Sequence, residues 1–154
     1  MAHTHFAEID KNNKVIRVVV ACEIDVANNG GDQSVQAATH FGTVCPLSPD
    51  GVAWVQTSKD KSFRRKFAGV GDTFNEESNV FYSDSSYPSW TMDSDFNWNP
   101  PVARPTTDEN PINSQPVIYD WNEADQKWSG FSYDNDSYRA NFDWNPATSA
   151  WEQV

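Results

Sequence analysis

The sequence predicts an all-β protein built from many short hairpins. Leucine occurs only at Leu47, whereas the 154 residues include seven Trp, five Tyr and nine Phe, and a core of Val, Ile and aromatic residues favours strands over helices. Nine prolines and seven glycines at short intervals predict frequent turns. An aromatic–Asn pattern also recurs, with a second aromatic residue seven positions after the first.

This pattern occurs at Phe74–Phe81, Trp121–Trp128 and Trp144–Trp151. Asn and Pro favour turns, and hairpin loops of about 3–5 residues are common, so each copy predicts a hairpin with its aromatic residues side by side. Seven residues are also two helical turns, but the scarcity of apolar residues between the aromatics disfavours a helix. Trp90 and Trp98, one residue further apart, form a looser fourth copy.

The clearest hairpin of the N-terminal part joins a strand at His5–Ile9 to the β-branched run Val15–Cys22, through the turn-rich segment Asp10–Lys14. The continuous apolar character of the second strand suggests burial on both faces at its far end. Alternation predicts two sets that face opposite sides: Ile16, Val18 and Val20, and Val15, Arg17 and Val19.

The segment 27–51 is rich in loop-forming residues, with a short helical turn expected at Ser34–His40 and a further strand at Val52–Thr57. Cys22 ends an apolar run and is interpreted as a small buried hydrophobic residue. A disulfide between Cys22 and Cys45 is the alternative.

Proline content suggests how the chain is divided. Residues 100–116 contain five prolines and read as an extended connector with little helix or sheet. We therefore predict a β-rich body at residues 1–99, a Pro-rich connector at 100–116 and Trp-rich C-terminal hairpin modules at 117–154.

The net charge of −11 is unevenly distributed, because residues 67–154 hold 15 of the 22 Asp and Glu but only three of the 11 Lys and Arg. Such a surface disfavours nucleic acid and anionic membranes as partners, and no apolar run is long enough to span a membrane. One basic cluster stands out, made of Lys59, Lys61, Arg64, Arg65 and Lys66. It could contact phosphate or an acidic partner, or it could be a charged turn that pairs with the chain's own carboxylates.

No pattern of residues predicts catalysis or a cofactor. The chain lacks a phosphate-binding glycine loop, a nucleophile elbow and paired Cys-x-x-Cys ligands. A zinc site made from His3, His5 and His40 with a cysteine is not expected, because the first two lie at a frayed start. Asp93–Asp95 and Asp134–Asp136 resemble calcium ligands but lack the glycine and distant Glu of an EF-hand loop, so we interpret them as solvated turns.

Six tryptophans have two competing interpretations. They could supply the core of the hairpins in a region without leucine, or they could be exposed and stack on sugars or partner proteins. The candidate interface residues are Trp90, Trp98, Trp121, Trp128, Trp144 and Trp151, together with Arg64, Arg65 and Lys66.

The segments Phe6–Asp10 and Val15–Val18 resemble the opening of small virion proteins of marine and cyanobacterial tailed phages. The run from Trp54 to Ser58 that continues into Phe63–Phe74 is similar to the same family, as are Tyr87–Thr91 and Tyr119–Glu123. The resemblance covers most of the chain in order. The sequence departs from the family pattern in its long stretch at 27–51 and its extra copy at Phe142–Trp151.

This resemblance implies a structural component of the virion, assembled in the host cytoplasm, without known catalysis. Its partners would be other virion proteins, such as major capsid or tail subunits, with multiple copies per particle. The leading hypothesis is a capsid decoration or cementing subunit. The alternatives are a tail or fibre module that binds host-surface carbohydrate and a glycan hydrolase with two carboxylates in one pocket.

Overall fold

The computed structural model describes residues 4–133 and 138–154, and the chain forms two compact units, residues 1–84 and 85–154. The described residues form four small antiparallel sheets and two short helices, which confirms the predicted β-rich, hairpin-based fold. The boundaries expected at 99/100 and 116/117 stay predictions about which segments fold independently. In the structure, residues 100–116 belong to the second unit.

The first unit is organised around a three-stranded sheet made of β1 (Thr4–Asp10), β2 (Val15–Ala21) and β3 (Gly51–Ser58), in the order β2-β1-β3. The predicted β1–β2 hairpin and the predicted strand at Val52–Thr57 are both confirmed. In the hairpin turn, Asp10 Oδ1 accepts hydrogen bonds from the N–H groups of Asn12 and Lys14 at 2.8 and 3.0 Å, as expected for an Asx turn.

Two expectations for β2 were wrong. Glu8 lies opposite Arg17, whereas Ile9 lies opposite Val15, so the strand carries one extra residue. This bulge places Val15 in the same core cluster as Val18 rather than on the opposite face. The far end is not buried on both faces either, because β2 is an edge strand and Val20 is 56% exposed.

Helices cover one face of this sheet. The chain between β2 and β3 forms α1 (Glu23–Asn28), which ends just inside the segment 27–51 predicted to be rich in loops, and α2 (Val35–Val44), which lies within it. The helical turn expected at Ser34–His40 is therefore a longer helix. Ser34 caps α2 by accepting a hydrogen bond from the Ala37 N–H at 3.0 Å. Cys22 is exposed and free, which corrects its expected burial, because the chain leaves the sheet there to begin α1. Cys45 is free and half-buried, so the alternative disulfide is absent.

A small hairpin of β4 (Thr73–Asn75) and β5 (Val80–Tyr82) contributes to the core on the other face. Phe74 and Phe81 lie opposite each other with ring centroids 4.9 Å apart. They pack with buried residues of the sheet, including Ala7 and Val55. The first unit therefore has a layer of helices, a sheet and a layer formed by the hairpin and its flanking loop.

The second unit contains a two-stranded hairpin of β6 (Thr91–Met92) and β7 (Trp98–Asn99) and a four-stranded sheet. The larger sheet has the order β11-β10-β9-β8. Its strands are β8 (Ile118–Asn122), β9 (Lys127–Tyr133), β10 (Arg139–Asn145) and β11 (Ala150–Gln153).

The three strict copies of the aromatic pattern are hairpins, as predicted, with the two aromatic residues directly opposite each other. The Asn after the first aromatic explains the turn. Asn75 Oδ1 accepts from the Ser78 N–H at 2.8 Å, Asn122 Oδ1 from Asp125 at 3.2 Å and Asn145 Oδ1 from Ala147 at 2.9 Å. Each side chain thus ties down its own loop.

Candidate interaction surfaces

Four of the six candidate tryptophans form the core of the second unit. Trp121, Trp128, Trp144 and Trp151 are only 1–6% exposed. Ring centroids lie 5.2 Å apart in the first pair and 5.4 Å apart in the second, with tilted or edge-on geometry that suits aromatic packing. Their rings are therefore not available to stack on a sugar or a partner.

Indole N–H groups of this core hold the Pro-rich segment in place. Trp128 Nε1 donates to the Val102 carbonyl at 3.0 Å, and Trp151 Nε1 donates to the Thr107 carbonyl at 2.8 Å. Further along, the buried Asn110 donates to Ser132 Oγ at 2.9 Å. The segment predicted to be a connector thus packs on the four-stranded sheet as a strap, with one isolated bridge near its end.

Trp90 and Trp98 are half-buried and do not form the expected fourth aromatic pair. The residue opposite Trp98 is Met92, whereas Trp90 lies before β6 and packs against Tyr87, Trp121 and Trp128. The loop is one residue longer than in the other copies, and this shifts the pairing of the two strands. Asp93 Oδ1 organises the loop by accepting hydrogen bonds from the N–H groups of residues 95 and 97. Trp90 Nε1 is buried and has no hydrogen-bond partner among the described residues.

In the basic cluster, the Lys66 ammonium group is paired with side chains of the first unit. Its Nζ donates to Asp72 Oδ2 at 2.6 Å and to Ser83 Oγ at 2.7 Å. Burial acts to raise the pKa of Asp72, but the hydrogen bonds from Lys66, Gly69 and Ser83 outweigh it, so the net pKa is lowered. This part of the cluster behaves as the charged turn that was the alternative interpretation.

Arg64 differs from Lys66 because its charge faces no carboxylate among the ion pairs of the described residues. Its Nη1 donates to the Gln56 carbonyl at 2.7 Å, its Nε donates to Asn79 Oδ1 at 2.8 Å, and the guanidinium lies 5.4 Å from the centre of the Phe74 ring. Burial lowers the pKa of Arg64. Arg65 is exposed on the same turn.

An ion pair between a buried carboxylate and a half-exposed arginine in the first unit was not predicted. Glu8 is fully buried, pairs with Arg17 and accepts from Ser48 N and Oγ at 2.6 and 2.5 Å. Burial acts to raise the pKa of Glu8, but the hydrogen bonds from Ser48 and Arg17 outweigh it and lower it. Gly51 leaves the space for this carboxylate, because a Cβ there would overlap the Glu8 side chain. The sequence carries no local signal for this arrangement, since its members are up to 43 positions apart.

No group of His, Cys, Asp and Glu in residues 4–133 and 138–154 has an arrangement that could hold a metal ion. Asp93 instead organises its own loop. The other acidic segment, Asp134–Asp136, and His3 lie outside the described residues, so those two sequence interpretations have no structural counterpart here.

Two concave surfaces of the first unit remain. A cavity of about 630 Å³ is lined by Phe63, Glu23, Asp32 and Lys59 among other residues. A groove of about 500 Å³ lies between α2 and β3 and is lined by apolar residues such as Phe74, by uncharged polar residues such as Gln33 and Gln56, and by Arg64. Neither was predicted, because each brings together side chains from segments that are distant in sequence.

No helix among the described residues has the length and apolar character needed to cross a membrane. Searches against protein-family models, curated proteins and solved structures find no match for this chain.

Proposed function

We propose that this protein is a non-enzymatic structural subunit of a tailed-phage virion that decorates the capsid. The proposal starts from the resemblance of residues 6–18, 54–74, 87–91 and 119–123 to small phage virion proteins. One structural observation favours decoration over glycan recognition by the tryptophans. The rings of Trp121, Trp128, Trp144 and Trp151 are used as core and are not exposed for sugar stacking.

Other features are compatible with a role in attachment to another protein. Both main sheets have open edges, and apolar side chains are exposed in the first unit at Val35, Val44 and Val52. Open strand edges and exposed apolar residues are typical contacts for assembly. The strongly acidic chain keeps such a protein from associating nonspecifically with the packaged nucleic acid.

The test is a copy-number measurement by quantitative mass spectrometry on purified virions, with the major capsid subunit as the internal standard. A decoration subunit occurs in hundreds of copies, because it follows the capsid lattice. A count of roughly three to eighteen, as for a ring at a tail or vertex, would overturn the capsid assignment. Absence from the particle would overturn any virion role.

A tail or fibre module that binds host-surface carbohydrate is the second candidate. The cavity of about 630 Å³ supports it, because the Phe63 ring lies there beside Glu23, Asp32 and Lys59, a combination that can bind a sugar ring and its hydroxyls. In a glycan-array experiment, this candidate requires binding that Phe63→Ala abolishes and Lys61→Ala, outside the cavity, leaves unchanged. The absence of binding to any bacterial surface glycan would refute it.

A further inference from the structure

We propose that the free edge of β3 is a docking groove for an extended acidic peptide segment of a partner protein. The segment would add to the sheet as a fourth strand and place a carboxylate on Arg64. The inference concerns the first unit alone and does not depend on a virion role. We call this feature, formed by β3, α2, Arg64 and Phe74, the β3-edge groove.

The register of the sheet determines which backbone groups of β3 face the groove. The Asp10 N–H donates to the Lys14 carbonyl at 2.9 Å, so the backbone polar groups of Asp10 point towards β2. These groups alternate in direction along a strand, so those of Glu8 also point towards β2, whereas those of Ala7 point towards β3. Val55 lies opposite Ala7 and bonds to β1. Trp54 and Gln56 therefore direct their N–H and C=O groups to the outer side, where Arg64 donates to the Gln56 carbonyl.

The walls of the groove rise on both faces of the sheet. Val35 and Gly42 of α2 lie on one side, and Phe74 lies on the other, with β3 between them. Val35 is 79% exposed although it is apolar. A strand edge beside a helix, with apolar residues above and below, is the geometry by which proteins bind an extended peptide through its main chain.

The charge of the groove specifies the partner. Arg64 is the single charged residue among the described residues that line it. Arg64 is half-buried, and none of the described ion pairs supplies it with a carboxylate. A cation removed from water without a counter-ion is poorly compensated. A peptide carboxylate would supply the missing charge and two hydrogen-bond acceptors.

The backbone holds Arg64 in an unusual conformation at this place. Arg64 and Arg65 have φ values of 54° and 70°, and the Lys66 N–H bonds to the Arg64 carbonyl at 2.9 Å across a three-residue turn. Left-handed φ values are costly for residues with side chains. Eight other non-glycine residues among those described also have a positive φ, so this conformation belongs to the tight turn that positions Arg64. The Phe81 N–H also bonds to the Arg64 carbonyl at 3.1 Å, which fixes the turn against β5.

The partner segment is therefore extended, with apolar side chains at alternate positions and Asp or Glu close to them. Apolar side chains on one face of the added strand would contact Val35 and Gly42, and those on the other face would contact Phe74. The Trp54 backbone would supply the main-chain hydrogen bonds.

The first experiment selects binders from a displayed library of random octapeptides, using the full chain as the target and the Arg64→Gln variant as the counter-target. Synthetic peptides of the enriched sequences are then titrated by fluorescence anisotropy. We expect sequences with alternating apolar residues and at least one carboxylate. We expect Arg64→Gln to weaken binding by at least tenfold. Lys61→Gln, which removes the same charge outside the groove, should leave binding within twofold.

A second pair of variants separates binding from stability, because Arg64 also supports the fold. A Cβ added at Gly42 would lie 3.6 Å from Trp54 Cδ1, an ordinary contact, so Gly42→Ala fits. Gly42→Leu extends into the β3-edge groove and should abolish peptide binding while the chain stays folded. Equal affinity of both variants for the peptide would overturn the proposal.

Amide hydrogen exchange identifies the mode of binding. Strand addition should slow exchange at the Trp54 amide, which faces the groove, and should leave the Val55 amide, already bonded to β1, unchanged. The proposal would be overturned if the selection enriches no peptide that prefers the wild-type chain to the Arg64→Gln variant. It would also be overturned if a bound peptide leaves the exchange rate of the Trp54 amide unchanged.

Discussion

Gly51→Ala tests whether the buried Glu8 carboxylate determines the structure of the first unit. A methyl group at position 51 would overlap Glu8, whose side chain is fully buried and fixed by Ser48 and Arg17. Displacing this carboxylate breaks its two hydrogen bonds with Ser48, worth about 1.5–3 kcal/mol each. It also breaks the ion pair with Arg17, which contributes less than a fully buried pair because the Arg17 side chain is 39% exposed. We expect Gly51→Ala to lower the free energy of unfolding by about 3–5 kcal/mol, a large part of the roughly 5–15 kcal/mol that stabilises a typical domain.

A double-mutant cycle isolates the cause. Gly51 does not have a positive φ, so alanine is conformationally acceptable there once the overlap is removed. In the Glu8→Ala background, Gly51→Ala should therefore cost less than about 1 kcal/mol. The assay is native-state hydrogen exchange at the amides of Phe6 and Ala7, because tryptophan fluorescence would sum both units. Additive effects of the two substitutions would refute the reasoning.

Three further predictions concern single contacts. Asn122→Ala removes the acceptor that organises its turn and should cost about 1 kcal/mol in urea denaturation of the second unit. Asn122→Asp keeps this acceptor but loses the amide that donates to the Asp125 carboxylate, so it should restore only part of the stability. Trp151→Phe removes the hydrogen bond to the strap and should speed exchange and proteolysis within residues 100–110 while the sheet remains protected. The lowered pKa of Asp72 means that its ionised carboxylate stabilises the fold at pH values above the ordinary Asp range, and that this stabilisation is lost as the pH falls through the folded-state pKa. The difference in the free energy of unfolding between wild type and Asp72→Asn should therefore shrink in acid. A constant difference from neutral pH to pH 3 would contradict this.

The local part of the fold was predictable from the sequence. In Phe74–Phe81, Trp121–Trp128 and Trp144–Trp151 the Asn side chain and the loop length together determine which residues lie opposite each other. All the information needed lies within eight residues. The looser copy also forms a hairpin, β6–β7, but the expected pairing of Trp90 with Trp98 was wrong, because one additional loop residue moves the register so that Met92 lies opposite Trp98.

Long-range structure was not predictable in the same way. Val15 lies on an unexpected face because of a bulge, which depends on how β1 and β2 are paired. Cys22 is exposed because a helix follows it, and the preceding apolar run does not report that.

The candidate surfaces show the same limit. Charge identified the cluster at residues 59–66, but the sequence did not show that Lys66 is paired with Asp72 while Arg64 lacks a carboxylate. That distinction depends on contacts with β3 and β5, which only the folded unit brings together. The β3-edge groove likewise follows from the strand order and not from any one segment.

The strap formed by the Pro-rich segment is bound in part through main-chain carbonyls, those of Val102 and Thr107. Every residue type offers such a carbonyl, so the side chains at these two positions contribute nothing to the indole hydrogen bonds. Val102 also packs its side chain against the core, and Asn110 is held through its buried amide. Amino acids can therefore be exchanged at the exposed positions of this stretch while it keeps the same path across the sheet. Related proteins could therefore differ in the exposed side chains of this segment while the tryptophan core beneath it stays the same.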